Sequence, residues 1–120
     1  MIARLVFAFL LFGSLVIAQS VEDPAVEFAL RNNIVGTESY VPTTGYIPDS
    51  RTAVAVAIAV LTPIYGKSDI DSERPWHTGL KDGIWTVVGT FNAKGATMGG
   101  SAIIQLDKKT GAVLFVTHGQ

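Results

Sequence analysis

Apolar residues dominate positions 51–66, "RTAVAVAIAVLTPIYG", with almost no polar phase between them. Val54, Val56, Ile58 and Val60 fall on every second position, the period of a strand. The spacers Ala53, Ala55, Ala57 and Ala59 are the strongest helix formers. Because both members of the alternation are apolar, period two carries little information here. Val54, Ile58, Leu61 and Tyr65 also recur at helical spacing, and Asp49 or Ser50 supplies an N-cap just before them. The pattern predicts a buried helix from about Ser50 to Leu61. It should end or kink at Pro63, which also restricts Thr62. Upstream, Asp23 before Pro24 predicts a cap and a first turn, with a short helix to about Asn33. Residues 36–48, "GTESYVPTTGYIP", predict an irregular or extended connection, and "YGKSDIDSE" predicts a polar loop.

Downstream the chain reads as hairpins. "PWHTGL" and "IWTVVGTF" flank Lys81-Asp82-Gly83, and Asp-Gly suits the tight turn that needs positive φ twice. This register sets Leu80 opposite Trp85, Thr78 opposite Val87 and Trp76 opposite Gly89. All lie on one mostly apolar face, with Phe91 beyond. "SAIIQLD" and "AVLFVTHG" form a second hairpin through "KKTG", with Gly111 at the left-handed position of a bulged loop. Leu106 then faces Leu114, Ile104 faces Val116 and Ala102 faces His118, while Ser101, Gln105, Asp107, Val113 and Phe115 take the other face. "NAKGATMGG" is the long loop between the hairpins. The prediction is an α+β fold: one main buried helix on a four-stranded antiparallel sheet, preceded by a short helix.

The N-terminus has a different pattern. Arg4 precedes an uncharged apolar run, "LVFAFLLFGSLVI", and Val16 and Ala18 offer a cleavage site before Gln19, with Ala18 and Ser20 a second choice. This predicts a secretory signal peptide over residues 1–18. A membrane anchor fits less well, since the run falls short of the roughly 20 residues a span needs. Residues 19–44 are then a short helix and extended connection, and residues 45–120 the α+β domain. Export predicts a periplasmic or secreted product with no membrane attachment after cleavage. The 120 residues carry nine Lys and Arg against ten Asp and Glu, a formal charge of −1, which loss of Arg4 makes more negative. No large field of either sign points to nucleic acid or an anionic membrane. With no cysteine, the chain has no disulfide framework, thiolate metal site, catalytic thiol or lipid-modified cysteine.

Candidate chemistry is sparse. "GATMGG" lacks the Lys-Ser/Thr pair of a phosphate loop, and a strand rather than a helix follows it. Asp69, Asp71 and Glu73 lack the Gly and distal Glu of a calcium loop, and read as a solvated acidic turn. No nucleophile elbow or spaced acid–base pair stands out, so no catalytic residue, metal site or cofactor is predicted. The register points His77 away from the core and His118 toward it, near the open end of its strand. Tyr65, Trp76, His77, Gly95, Gly100 and His118 are the candidate partner- or ligand-binding residues. A pocket near Tyr65 and His118 would suit a small-molecule binder or minimal enzyme, and a structural envelope protein is a further reading. Unpaired strand edges leave room for a homodimer.

Residues 45–119 resemble the immunity-protein family built on the nuclear transport factor 2 fold, of the bacterial polymorphic-toxin type. "GYIPDSRTAVAVA" is similar to the approach to its main helix and "PIYG" to the exit; "RPWHTGLKDGIWTVVGT" resembles its first hairpin and "MGGSAIIQLDKKTGAVLFVTHG" its second. The resemblance implies a curved sheet wrapped round a helix, a cone with an opening. It also implies a non-enzymatic protein that binds and blocks a cognate toxin; the sheet edge, Trp76, His77 and the Gly95–Gly100 loop are the surface expected to cover that toxin. Some proteins of this fold are isomerases or dehydratases with a carboxylate or histidine in the opening, but this chain shows no matching motif. Residues 19–44 resemble no family.

Overall fold

The first two helices each begin where an aspartate carboxylate accepts a backbone N–H. A computed structural model describes residues 23–36, 38–91 and 100–119; the predicted signal peptide and Gly95 lie outside them. The chain divides into two units, one ending at Ser39 and one beginning at Tyr40. In the first, helix α1 spans Pro24–Arg31. Asp23 caps it by accepting from the Ala25 N–H at 2.8 Å, with Pro24 in the first turn as the sequence pattern predicts. An exposed Glu27–Arg31 pair supports it. No residue of α1 is buried, and Phe28 and Leu30 are largely exposed.

In the second unit, helix α2 spans Ser50–Tyr65. Asp49 caps it, accepting from Thr52 N and Thr52 Oγ1, each at 2.8 Å. The helix runs two residues past Pro63 rather than ending there. Proline removes only its own N–H from the ladder, Pro63 faces solvent, and Thr62 Oγ1 bonds back to Ile58 O at 2.6 Å. The buried stripe also differs from the expected one. Ala53, Ala57 and Leu61 are fully buried, whereas Val54, Val56, Ile58 and Val60 flank them half-buried. Small side chains at spacing four let the helix axis approach the sheet, and the branched residues fill the sides.

Gly66, at φ 92, ends α2 and starts a short helix α3, Lys67–Ser72, where the sequence reading expected a polar loop. A Lys67–Asp71 pair spans one turn on its outside, and Ile70 is fully buried on its inside.

Strands β1 (His77–Lys81), β2 (Ile84–Val88), β3 (Ala102–Asp107) and β4 (Val113–His118) form one antiparallel sheet in chain order. Asp82 and Gly83 both take positive φ, so the first hairpin has its expected register, Leu80 opposite Trp85 and Thr78 opposite Val87. The second keeps Ala102 opposite His118 and Ile104 opposite Val116, but Leu106 meets Val113, not Leu114. The irregularity falls between Gln105 and Leu106, inside the strand pair. Leu114 is therefore half exposed rather than part of the core.

The core joins Ala53, Ala57, Leu61 and Ile70 to Trp85, Val87, Ala102, Ile104 and Leu106. Trp85 Nε1 donates to Ile47 O at 2.9 Å, fixing the segment before α2 to the sheet. No helix among the described residues is long and apolar enough to cross a membrane.

Candidate functional site

The sheet has two ends. The hairpin tips, Asp82-Gly83 and Lys108–Thr110, make one. The start of β1, the end of β2, the start of β3 and the end of β4 make the other. Glu73, which caps the C-terminus of α3, sits at this second end.

Glu73 is built in, not solvated. It is only 6% exposed, and the strand end and loop beyond it donate to it at two points. Its carbonyl oxygen accepts from Thr90 N at 2.7 Å, and its Oε1 accepts from Ala102 N at 2.5 Å, the first residue of β3. Residue 89 has to be glycine for this approach. A Cβ there would lie 2.6 Å from Glu73 Oε1, 2.9 Å from Glu73 Cβ and 3.0 Å from Trp76 Cζ3. The solvated acidic turn expected over Asp69–Glu73 is thus corrected: one of its three carboxylates is turned inward by α3. Ile70 and Glu73 are three residues apart, so a helical turn puts both on its inner face. That spacing was the available signal, and the polarity of the stretch concealed it.

The second carboxylate oxygen, Oε2, is buried and has no hydrogen-bond partner. Leaving a buried acceptor unmade costs about 1–3 kcal/mol, more when charged. His118 Nε2 stands 3.4 Å from it, an ion-pair distance without hydrogen-bond geometry. The other ring nitrogen, Nδ1, lies 3.0 Å from Gly119 O. The Tyr65 ring tilts at 50° on the imidazole, with centroids 5.0 Å apart. Trp76 Nε1 is buried too and lacks a hydrogen-bond partner.

Of the sequence candidates, His118 faces Glu73, Tyr65 packs on the His118 ring, and Trp76 borders the space beside Gly89 that Glu73 also occupies. His77 does not join them: it is exposed on β1 and pairs through Nε2 with Thr90 Oγ1 at 2.9 Å. Gly100 plays a backbone role beside the group. Its N–H donates to Gly119 O at 2.7 Å, and a Cβ on it would lie 2.5 Å from Gly119 Cα. Gly100 thus helps hold the carbonyl that faces His118.

Other features lie apart from this group. A cavity of about 520 Å³ opens at the hairpin tips, lined by residues 41–45 and both turns. A smaller one, about 280 Å³, lies over Lys81, Ile84, Thr86 and Gln105. Neither includes Tyr65, Glu73 or His118. The geometry of buried contacts, not cavity size, therefore marks the chemistry. Three surface carboxyls are held below the usual carboxylate range: Asp49 by the Thr52 N–H, Asp71 by Lys67 and Asp107 by the Thr110 N–H. Each secures a helix cap, a helical turn or a hairpin. Among the described residues no group of three or more His, Asp or Glu could hold a metal ion.

The family model described as NTF2 fold immunity protein matches residues 52–120. The chain belongs to the NTF2 fold immunity protein family. The match runs from the first turn of α2 through β4, so it takes in Tyr65, Glu73, Trp76, Gly89 and His118. Neither a curated protein nor a solved structure matches the chain. The family is thus established through the second unit, and α1 lies outside the matched residues.

Proposed function

We propose that this NTF2 fold immunity protein is exported and neutralises a cognate toxin by protein–protein contact, without catalysis. Membership of the immunity family is the observation that carries the reading. The uncharged apolar run behind Arg4 supports removal of residues 1–18 and action in the periplasm or outside the cell. Residues 45–120 would be the toxin-binding domain. The contact surface would use the β1 edge, where His77 and Leu80 are exposed beside Trp76, together with the loop through Gly95 to Gly100.

The test is protection. Tagged protein is used to capture partners from periplasmic extract of its own cells, and each captured protein is expressed in a sensitive strain with and without it. Recovery of a lethal protein whose effect on growth is suppressed is expected. If every captured protein is harmless, or kills equally in both strains, the reading fails.

A further inference from the structure

The sheet order ends at β4, and among the described residues no strand pairs with its outer side. Gly119 N donates to Ser101 O at 3.1 Å. Alternate residues of an antiparallel strand share that direction, so Thr117 and Phe115 also turn their backbone groups toward β3. Val116 and His118, in the other phase, direct their N–H and C=O to the open edge. Unpaired donors and acceptors in a row are a template for another strand.

Nothing in the sequence guards this edge. From Ala112 to Gly119 the chain reads "AVLFVTHG", with no lysine, arginine, aspartate, glutamate or proline. Val113, Leu114 and Phe115 are each about half exposed, although β-branched and aromatic side chains are the ones a sheet favours. The opposite edge, β1, carries Lys81 and has Gly79 at its centre. Charge at an edge and glycine within a strand both oppose pairing, so β4 is the edge suited to it.

β4 also complements itself. Antiparallel pairing about a two-fold axis at Val116 sets this residue against Val116 of the second copy, where the two exchange both backbone hydrogen bonds. Leu114 then faces His118 of the second copy and Phe115 faces Thr117, so no like charges meet and apolar groups lie on both faces. We propose that β4 is a homodimerisation edge, through which two copies join their four-stranded sheets into one. The pairing does not rest on the immunity reading, and it leaves the β1 edge to the toxin. Its size sets its strength. Half of a phenylalanine is about 100 Å², and Val113 and Leu114 add less each, so the pair hides on the order of 500 Å² of side-chain surface against the roughly 1,200 Å² of a standard interface. The dimer is therefore reversible, with half-association at about 0.1–1 mM.

Sedimentation velocity of the full protein from about 10 µM to about 1 mM should show monomer giving way to dimer. Over the same dilution, followed by NMR, the backbone amides of Val116 and His118 should shift with concentration while those of Thr78 and Leu80 on β1 stay fixed. Leu114→Lys and Phe115→Lys each change a half-exposed side chain and place like charges across the two-fold. Each should weaken association about tenfold or more at a melting temperature close to the wild type's. Should a variant melt early, the wild-type amide series decides by itself. A monomer at every concentration, a dimer whose shifts fall outside β4, or association equal to wild type in both variants would overturn the proposal. Shifts at β4 that arise only on adding a captured toxin would give the edge to the toxin, and would overturn it as well.

Discussion

At the scale of single residues, glycine and glutamate are coupled. Gly89 has no conformational role that its φ demands; it is small because Glu73 and Trp76 occupy the space where a Cβ would go. Gly89→Ala should therefore push the carboxylate off Ala102 N and destabilise by about 1–3 kcal/mol, the usual cost of overpacking. Gly79 on β1 is the control, since a Cβ there meets nothing within 4 Å. Gly79→Ala should be neutral or slightly stabilising. Urea denaturation of the two variants separates them; equal midpoints would mean that the space around Glu73 is not tight. Trp76, Tyr65 and His118 could be nominated from the sequence because aromatic residues and a lone inward histidine attract notice. Glu73 could not, since a charged residue in a polar run is ordinarily solvated.

At the scale of elements, the caps were the most legible features. Asp23 and Asp49 announce α1 and α2 because an acceptor side chain before a helical run has one efficient use. The Asp-Gly turn fixed the first hairpin register for a comparable reason: few residues tolerate positive φ twice in succession. The buried stripe of α2 was less legible. With every position apolar, periodicity does not choose a face, and only the nearness of the sheet selects Ala53 and Ala57. The bulge at Leu114 was hidden too, because a one-residue slip between two apolar strands leaves a similar pattern. The Asp49 cap makes a pH prediction. The Thr52 N–H and hydroxyl hold its carboxyl below the usual range in the folded state. That stabilisation is complete above the unfolded carboxylate pKa of about 4 and is lost as pH falls through the lower folded value. Asp49→Asn still caps but does not titrate there. Its melting temperature should fall less steeply on acidification than the wild type's, as calorimetry at a series of acid pH values would register. Parallel slopes would mean that the cap contributes no linkage.

At the scale of the whole molecule, the two units differ in how they are held. The second has a continuous core from Ile47 to Leu106, with the family match lying inside it. The first has a capped helix with no buried residue, and Val26, Phe28, Leu30, Ile34 and Val35 all more than half exposed. Burial is the principal source of stability, so a segment that buries nothing adds little to the fold. A chain beginning at Tyr40 should therefore unfold at nearly the same urea midpoint and with nearly the same slope as one beginning at Gln19. If the shorter chain lost more than about 1 kcal/mol, α1 would have to bury surface in solution. The same pair of proteins bears on function. The group of Tyr65, Glu73 and His118 lies wholly in the second unit. Toxin protection should then survive the deletion once the shorter chain is supplied with an export signal. Were folding kept and protection lost, recognition would reside in residues 19–39, and the exposed apolar side chains of α1 would be its surface rather than the sheet.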